Sequence, residues 1–329
     1  MKQLRSNQRL GTTGLICLHV AVLGAGFLAP YDPAEQNRAF TLQPPTRIRF
    51  VDGQGQFHAL PFVMGVDGRA RSLRFFVAGA KYRWLGGPSS RIHLFGVDEP
   101  GHIFLLGTDE FGRDQFSRML CGGQISLLTG WLAALLALGL GLGLGLVAGF
   151  FGGWRDALIM RGAELFLALP WLYLLLAIRA FLPLSLSPWT TTLAIALLTG
   201  IIGWTRPARL VRGVVMSAKE RDYVYAARGF GASSWHLIAR HCLPETYGVL
   251  FTQMALLVPQ FILAEVALSF LGLGIGDPAV SWGTLLAPLR QLAIVASAWW
   301  MLLPALFVAA TAWCFSLLDN EGERNGAVP

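Results

Sequence analysis

The chain has 329 residues, 54% of them hydrophobic and only 14% charged, with a mean hydropathy of +0.53. That balance lies outside the range of soluble globular domains and makes an integral membrane protein the default class. A formal charge of +7 would suit nucleic acid, but the basic residues sort by the loops between apolar runs, which points to membrane topology and away from nucleic acid. Apolar stretches of about 20 residues, the length that spans a bilayer core, fall at 11–29, 124–150, 157–181, 189–205, 246–270 and 297–318. They are too continuous and too rich in leucine for a membrane barrel. The expected fold is an all-α integral membrane protein with six transmembrane helices.

Residues 1–10 carry Lys2, Arg5 and Arg9 and form a cytoplasmic N-terminus. The first span, 11–29, follows a basic start as a secretory signal would, but it is longer than a signal core and ends at Ala29-Pro30, a poor cleavage site. An uncleaved helix is expected. Residues 30–123 form an extracytoplasmic insert and an amphipathic lead-in to the second span. Their eleven Lys and Arg are compatible with an outside position because long loops translocate largely regardless of charge. Asp52-Gly53 and Asp67-Gly68 are hairpin dipeptides near β-prone runs such as Ile48–Val51 and Leu73–Val77, so the insert is read as small and β-rich. No nucleophile, base and orienting group stand at a recognised spacing in it. A structural cap is expected, with His58, His93 and His102 as surface or packing residues and no metal site. Cys17, Cys121, Cys242 and Cys314 are scattered, with neither a disulfide framework nor zinc-ligand spacing.

Residues 124–318 form the core of the membrane region. In its first span Gly143-x-Gly145-x-x-Ala148 with Glu164 farther on imitates a dinucleotide fingerprint, but that motif needs a strand, a turn and a helix start, and this one lies inside an apolar helix. Glycines 139 and 143, and 141, 145 and 149, form two rows that permit close approach of a neighbouring helix. Arg155 and Arg161 mark a cytoplasmic turn before the span at 157–181; Glu164 is expected to pair with Arg161, and Arg179 to snorkel outward. Pro170 and Pro259 are positioned to kink their spans. The connections at 182–188 and 271–296 hold, respectively, no Lys or Arg and Arg290 alone, so both are expected outside. Charged groups within spans are functional candidates. Glu265 is therefore a candidate for the translocation path, with an interhelix hydrogen bond as the alternative. The segment 319–329 is a short cytoplasmic tail.

The three lysines, Lys2, Lys81 and Lys219, follow Met1, Ala80 and Ala218. No Gly-Lys of a phosphate-binding loop exists, so this chain is not a Walker-type ATPase. The cytoplasmic loop 206–245 is the most informative segment, with seven basic residues from Arg206 to Arg240. Its first short helix is expected from about Arg221 to Arg228, closed by Gly229 and Gly231. The second starts after Ser233 as N-cap and ends before Pro244. Tyr223, Ala226 and Ala227 are expected on one face, with Phe230 just beyond, as a small knob for a groove on another protein.

The pattern Ala226-Ala227-x-x-x-Gly231 followed by Leu243-Pro244 resembles the cytoplasmic signature of ABC importer permeases. Two further stretches, Gly107 to Arg118 with Ile125-Ser126-Leu127, and Glu265 to Gly274 with Ser281-Trp282-Gly283, are similar to the C-type subunit of the oligopeptide, dipeptide and nickel permease family. The resemblance covers about Leu106 to Leu318 and the first helix. It implies a multi-pass protein of the cell inner membrane with both termini cytoplasmic, acting as a non-catalytic transport subunit in the lipid bilayer. It implies heterodimerisation with a B-type permease subunit, two ATP-binding subunits and an extracytoplasmic substrate-binding protein. No cofactor is expected on this chain; ATP and Mg belong to the partner ATPase. The resemblance makes Asp222, Tyr223, Tyr225, Ala226, Ala227, Gly231, Leu243 and Pro244 the ATPase-coupling residues. It makes Gly107, Asp109, Gly112, Arg113, Asp114, Ser117 and Arg118 a structural motif. The chain departs from the family at Tyr225, where a glutamate is usual, at His241, where an apolar residue is usual, and in its long insert from about Arg38 to Val97. The cargo implied is a peptide or related small solute. A secondary transporter without an ATPase, and a membrane-anchored enzyme, are the alternative classes.

Overall fold

A computed structural model of the chain describes residues 2–51, 56–64, 70–83, 87–97, 101–183 and 186–319. The order begins with helices α1 (Lys2–Leu23) and α2 (Ala25–Leu28), then strands β1 (Ile48–Val51), β2 (Phe57–Met64), β3 (Ala70–Arg83) and β4 (Ser89–Val97). Helices α3 (Gln115–Phe151), α4 (Gly153–Ala168), α5 (Trp171–Phe181), α6 (Pro188–Gly203) and α7 (Thr205–Ala218) follow. The loop helices are α8 (Asp222–Gly229), α9 (Ser234–Leu237) and α10 (Leu243–Glu245); α11 (Tyr247–Phe270), α12 (Trp282–Leu286), α13 (Leu292–Ser297) and α14 (Leu303–Asp319) complete the chain. Among the described residues three helical stretches are individually long and apolar enough to cross a membrane: Gln115–Phe151, Tyr247–Phe270 and Trp299–Leu318. The pair α4 and α5 joins them if counted as one bent span, and α6 is a shorter apolar helix.

The described residues fall into two compact units, one within 1–15, 127–268 and 310–329, the other within 16–126 and 269–309. In the first unit α3 and α7 pack backbone to backbone. A Cβ on Gly141 would meet Pro207 Cβ at 2.6 Å, one on Gly145 the Ala208 carbonyl at 2.7 Å, and one on Gly149 the Arg212 carbonyl at 2.8 Å. Gly139 and Gly143 have nothing within 4 Å of such an atom, so only one of the two glycine rows forms a seam. Arg212 on α7 grips Asp156 on α4 through Nε at 2.5 Å and Nη2 at 2.6 Å, a two-pronged geometry specific to guanidinium and carboxylate. Burial on α7 falls at Ala208, Val211, Val215 and Ala218, the spacing of one helical face.

Sequence alone treats 157–181 as one span. The structure breaks it at Leu169-Pro170, and α4 and α5 meet at 86°. Leu169 is extended (φ −88°, ψ 139°), as the ring of a following proline requires, and Pro170 lacks the N–H that would continue the helix. Pro259, by contrast, lies within α11 without dividing it. Arg179 does not snorkel to solvent: it is buried, and its Nη1 donates to the Leu182 carbonyl at 3.2 Å, one of the carbonyls left open at a helix end. Arg161 pairs with Glu164 at 3.4 Å on the surface.

In the second unit a four-stranded antiparallel sheet runs in the order β1-β2-β3-β4. Ile48–Val51 is β1 itself, and Leu73–Val77 lies within β3. The dipeptides Asp52-Gly53 and Asp67-Gly68 lie outside the described residues. Val63, Leu73 and Phe95 form the sheet's core with Ile103, and Phe116 of α3 packs against it. His93 is buried with both ring nitrogens on carbonyls, Nδ1 2.5 Å from Ala29 O and Nε2 2.8 Å from Ala80 O. It pins β4 and β3 to the chain leaving α2. His102 stacks with Tyr31 and Phe104. Trp282 of α12 is buried, its indole N–H donating to Met119 O at 3.0 Å and its backbone N–H to Ser126 Oγ at 3.1 Å.

Candidate functional site

The loop after α7 is a folded cap with one inward and one outward face. Arg221 is extended at the N-cap of α8, and Asp222 opens its first turn, where a carboxylate opposes the helix dipole. At the other end the Ala232 N–H reaches Ala227 O at 3.1 Å and the Gly231 N–H reaches Arg228 O at 3.0 Å, with Gly231 at φ +83°. This is a Schellman closure with glycine in the left-handed position. Gly229 stays helical, so only one of the two glycines makes the turn. Ser233 caps α9 by accepting the His236 N–H at 3.3 Å. The helical path then continues through a π turn at Ile238–Cys242 into α10, with Pro244 in its first turn, rather than stopping before Pro244.

Val224 of α8 and Leu237, Ile238 and Cys242 are buried with Val211, Val215 and Ala218 of α7 and Phe150 of α3; Ala227 packs on this cluster. Ala227 thus faces inward, which corrects the expectation that it shares an outer face with Tyr223 and Ala226. The outer face consists of Tyr225, Ala226, Phe230 at 93% exposure and Trp235 at 75%. Sequence reasoning missed Trp235 because its helix is too short to show a period. It also missed Glu245, whose Oε1 accepts from Arg221 Nη1 at 2.9 Å and from the Tyr223 hydroxyl at 3.1 Å. That carboxylate ties the start of α8 to α10 and so gathers Asp222, Tyr223, Leu243 and Pro244 at one place. Lys219 Nζ donates to Gly149 O at 3.1 Å, fastening the end of α7 to the end of α3.

The Gly107–Arg118 motif is a separate polar knot in the second unit. Gly107 and Gly112 have φ of +75° and +72°; a Cβ on Gly112 would overlap the Asn37 carbonyl, and one on Gly107 would meet Gln43 O and the Trp300 ring. Asp109 accepts the backbone N–H groups of Phe111 and Arg113, each at 2.9 Å, and Arg113 Nε at 2.7 Å. Arg113 also donates to Asp277 at 3.1 Å, and Arg118 donates to Pro33 O at 3.0 Å. Asp114 caps α3, taking the Ser117 N–H at 2.8 Å and its hydroxyl at 2.6 Å. Burial pushes the Asp114 carboxyl up to about 6, against the opposing pull of the Ser117 hydrogen bonds. The knot, with Asp277, Arg290 and Gln291, walls a cavity of about 580 Å³.

Glu265 is fully buried on α11 and lines neither of two cavities in the first unit. One, of about 160 Å³, is bounded by Phe166, Trp171, Arg206, Gln260 and Phe261; the other, of about 320 Å³, by Trp171, Pro259, Gln260 and Ser316. Trp171 and Gln260 belong to both. Among the described residues no cluster of three or more His, Cys, Asp and Glu is arranged to hold a metal ion.

Residues 141–318, more than half of the chain, match the family described as binding-protein-dependent transport system inner membrane component. The chain belongs to that family. It is accordingly a transport permease subunit of the inner membrane and not an enzyme. The matched region takes in α7 to α10 and the outward face built on them. Among curated proteins, the dipeptide transport system permease protein DppC of Bacillus subtilis (strain 168) is 42% identical over 216 residues, 65% of each chain. The oligopeptide transport system permease protein OppC of Escherichia coli (strain K12) is 38% identical over 231 residues, 70% of this chain and 73% of that one. OppC of Bacillus subtilis (strain 168) is 36% identical over 243 residues, 73% of this chain and 76% of that one. The permease family thus accounts for the core, while the sheet of β1 to β4 lies outside the family match.

Proposed function

We propose that this permease subunit forms half of the translocation path of an ATP-driven peptide importer and couples to a separate ATPase through the outer face of α8 and α9. The observation that carries the reading is the outward set of Tyr225, Ala226, Phe230 and Trp235, raised on a fully apolar base. An aromatic knob on a rigid support is built for a groove on a protein partner. The peptide cargo is inferred from the relatives DppC and OppC, which are named as dipeptide and oligopeptide transport permeases. In this reading a B-type subunit supplies the other half of the path, two ATP-binding subunits hold ATP and Mg, and an extracytoplasmic binding protein delivers the peptide. In this reading the chain crosses the membrane six times, with both termini and the loop 206–245 in the cytoplasm and the sheet outside, and the Lys and Arg of that loop support the orientation. Trp171 and Gln260, common to two cavities, join Glu265 as path candidates. The Gly107–Arg118 knot has a structural role in this scheme, holding the entrance to α3.

The test is stimulation of ATP hydrolysis by peptide-loaded binding protein in the reconstituted four-component complex. Phe230→Asp changes a side chain that is almost wholly in solvent, so the variant is expected to accumulate and assemble with the B-type subunit while stimulation falls at least tenfold. Full stimulation with Phe230→Asp and Trp235→Asp combined would overturn the coupling assignment.

A further inference from the structure

We propose that Arg113, Arg118 and Arg290 form a subsite for the free carboxylate of a peptide, in the cavity walled by the Gly107–Arg118 knot. The proposal rests on the peptide-importer reading and names the part of the substrate that this chain recognises. In the proposed topology 30–123 and 271–296 both lie outside, so the walls of the cavity stand on the side from which peptide arrives. Two of its guanidinium groups are already out of water: Arg113 is 7% exposed and Arg118 3%. Such charges are costly to bury unless they are paired, and one buried carboxylate, that of Asp109, serves both. It accepts Arg113 Nε at 2.7 Å but stands 3.6 Å from Arg118 Nε, too far for a hydrogen bond. That nitrogen is buried with no hydrogen-bond partner among the described residues. The second partner of Arg113, Asp277, has a side chain 68% exposed, so solvent screens it. Asp114, the other buried carboxylate of the motif, is bonded to Ser117 and lines a separate small cavity with Tyr31 and His102.

Both buried arginines are fixed in place. The Arg113 guanidinium lies over the Phe111 ring at 4.6 Å, and Arg118 Nη1 donates to Pro33 O at 3.0 Å. Arg113 spends Nε on Asp109 and Nη1 on Asp277, so Nη2 of each arginine takes no bond among the described residues. Arg290, exposed in the same wall, is held through Nε on Ala287 O at 3.0 Å. Guanidinium edges positioned in advance suit the two oxygens of a carboxylate and lose little freedom on binding it. Charge sets the class of ligand. Glu110 and Asp277 line the same cavity, so a polyphosphate meets like charge there, whereas a zwitterion finds a partner for each end. The volume of about 580 Å³ is that of a small-molecule site. An acidic side chain of the binding protein is the competing occupant.

The assembled transporter, in nanodiscs and without the binding protein, is irradiated with an alanine tripeptide whose central residue is benzoylphenylalanine, as the free acid or as the C-terminal amide. Cross-links from the free acid are expected within 110–118 or 284–291, and the amide is expected to give about tenfold fewer, the loss of a charged hydrogen-bond partner. Arg290→Gln, a change at an exposed side chain, is expected to lower labelling several-fold with assembly unchanged. Arg118→Lys keeps the charge, loses the fork and is expected to do the same; if it fails to assemble, Arg290→Gln decides. Equal labelling by acid and amide overturns the proposal, as do cross-links confined to other segments. If Arg290→Gln then weakens docking of the peptide-free binding protein, the cavity's partner is a carboxylate of that protein. Uptake of trialanine with binding protein and ATP is followed in parallel. Uptake combined with equal labelling strikes the subsite alone, and failure to take up any peptide strikes the peptide reading together with it.

Discussion

On α8 the methyl group of Ala226 points to solvent and that of Ala227 packs on the cluster of Val224, Leu237 and Cys242. The same substitution at the two positions therefore has two different consequences. A glutamate at 227, which is partly buried against this cluster, would crowd it at a cost of about 1–3 kcal/mol through overpacking, a sizeable part of a typical folding stability. Ala227→Glu is expected to fail at the level of folding, seen as loss of protein from detergent-solubilised membranes. Ala226→Glu is expected to accumulate normally and lose only ATPase stimulation; equal accumulation of both variants would show that the inward assignment of Ala227 is wrong. Gly231 is demanding for another reason. Nothing crowds its α-carbon, but a φ of +83° costs an L side chain about 1–2 kcal/mol, and the Schellman bonds depend on that conformation.

At the scale of elements, the row of Gly141, Gly145 and Gly149 decides how closely α7 lies against α3. Gly145→Leu has no room and is expected to cost about 1–3 kcal/mol through overpacking, whereas Gly143→Leu, two residues away, faces open space. Thermal unfolding of the purified subunit in detergent checks this: a clear fall for Gly145→Leu with little change for Gly143→Leu is the expected pattern, and equal falls would refute the seam. The sequence showed that two rows existed, because a four-residue period is visible in one chain; which row has a partner depends on the neighbouring helix. The break at Leu169-Pro170 was legible as a proline and not as an 86° bend, since a proline inside an apolar run is also compatible with an undivided helix, as Pro259 in α11 shows. The start of α3 at Gln115, nine residues before the apolar run, was hidden by its buried polar side chains, Gln115, Ser117 and Arg118. Strands β2 and β4 carry Pro61 and a Ser-Ser-Arg start, which weaken a β signal that β1 and part of β3 retain.

For the molecule in its membrane, the Lys and Arg of the loop 206–245 argue that this loop faces the cytoplasm. A single cysteine at exposed Ser234 is expected to resist an impermeant maleimide in intact cells and to react once the membrane is opened, while one at Ser89 reacts from outside. Labelling of position 234 in intact cells would invert the whole orientation. The family and the two short helices of the loop 206–245 were readable because their residues lie close together in sequence. Glu245, 24 residues beyond Arg221, shows its role only after the loop has closed. The seam between α3 and α7 has a mechanical consequence. Backbone contact at three successive turns, the Arg212–Asp156 grip and the Lys219 tether leave α7 little freedom to slide or roll. Its 14 residues, about 21 Å of helix, are thus fixed along one side to α3 and carry α8 on the shared apolar cluster. In the proposed coupling, a displacement imposed at Phe230 would reach the glycine row of α3 through that cluster and not through a flexible linker.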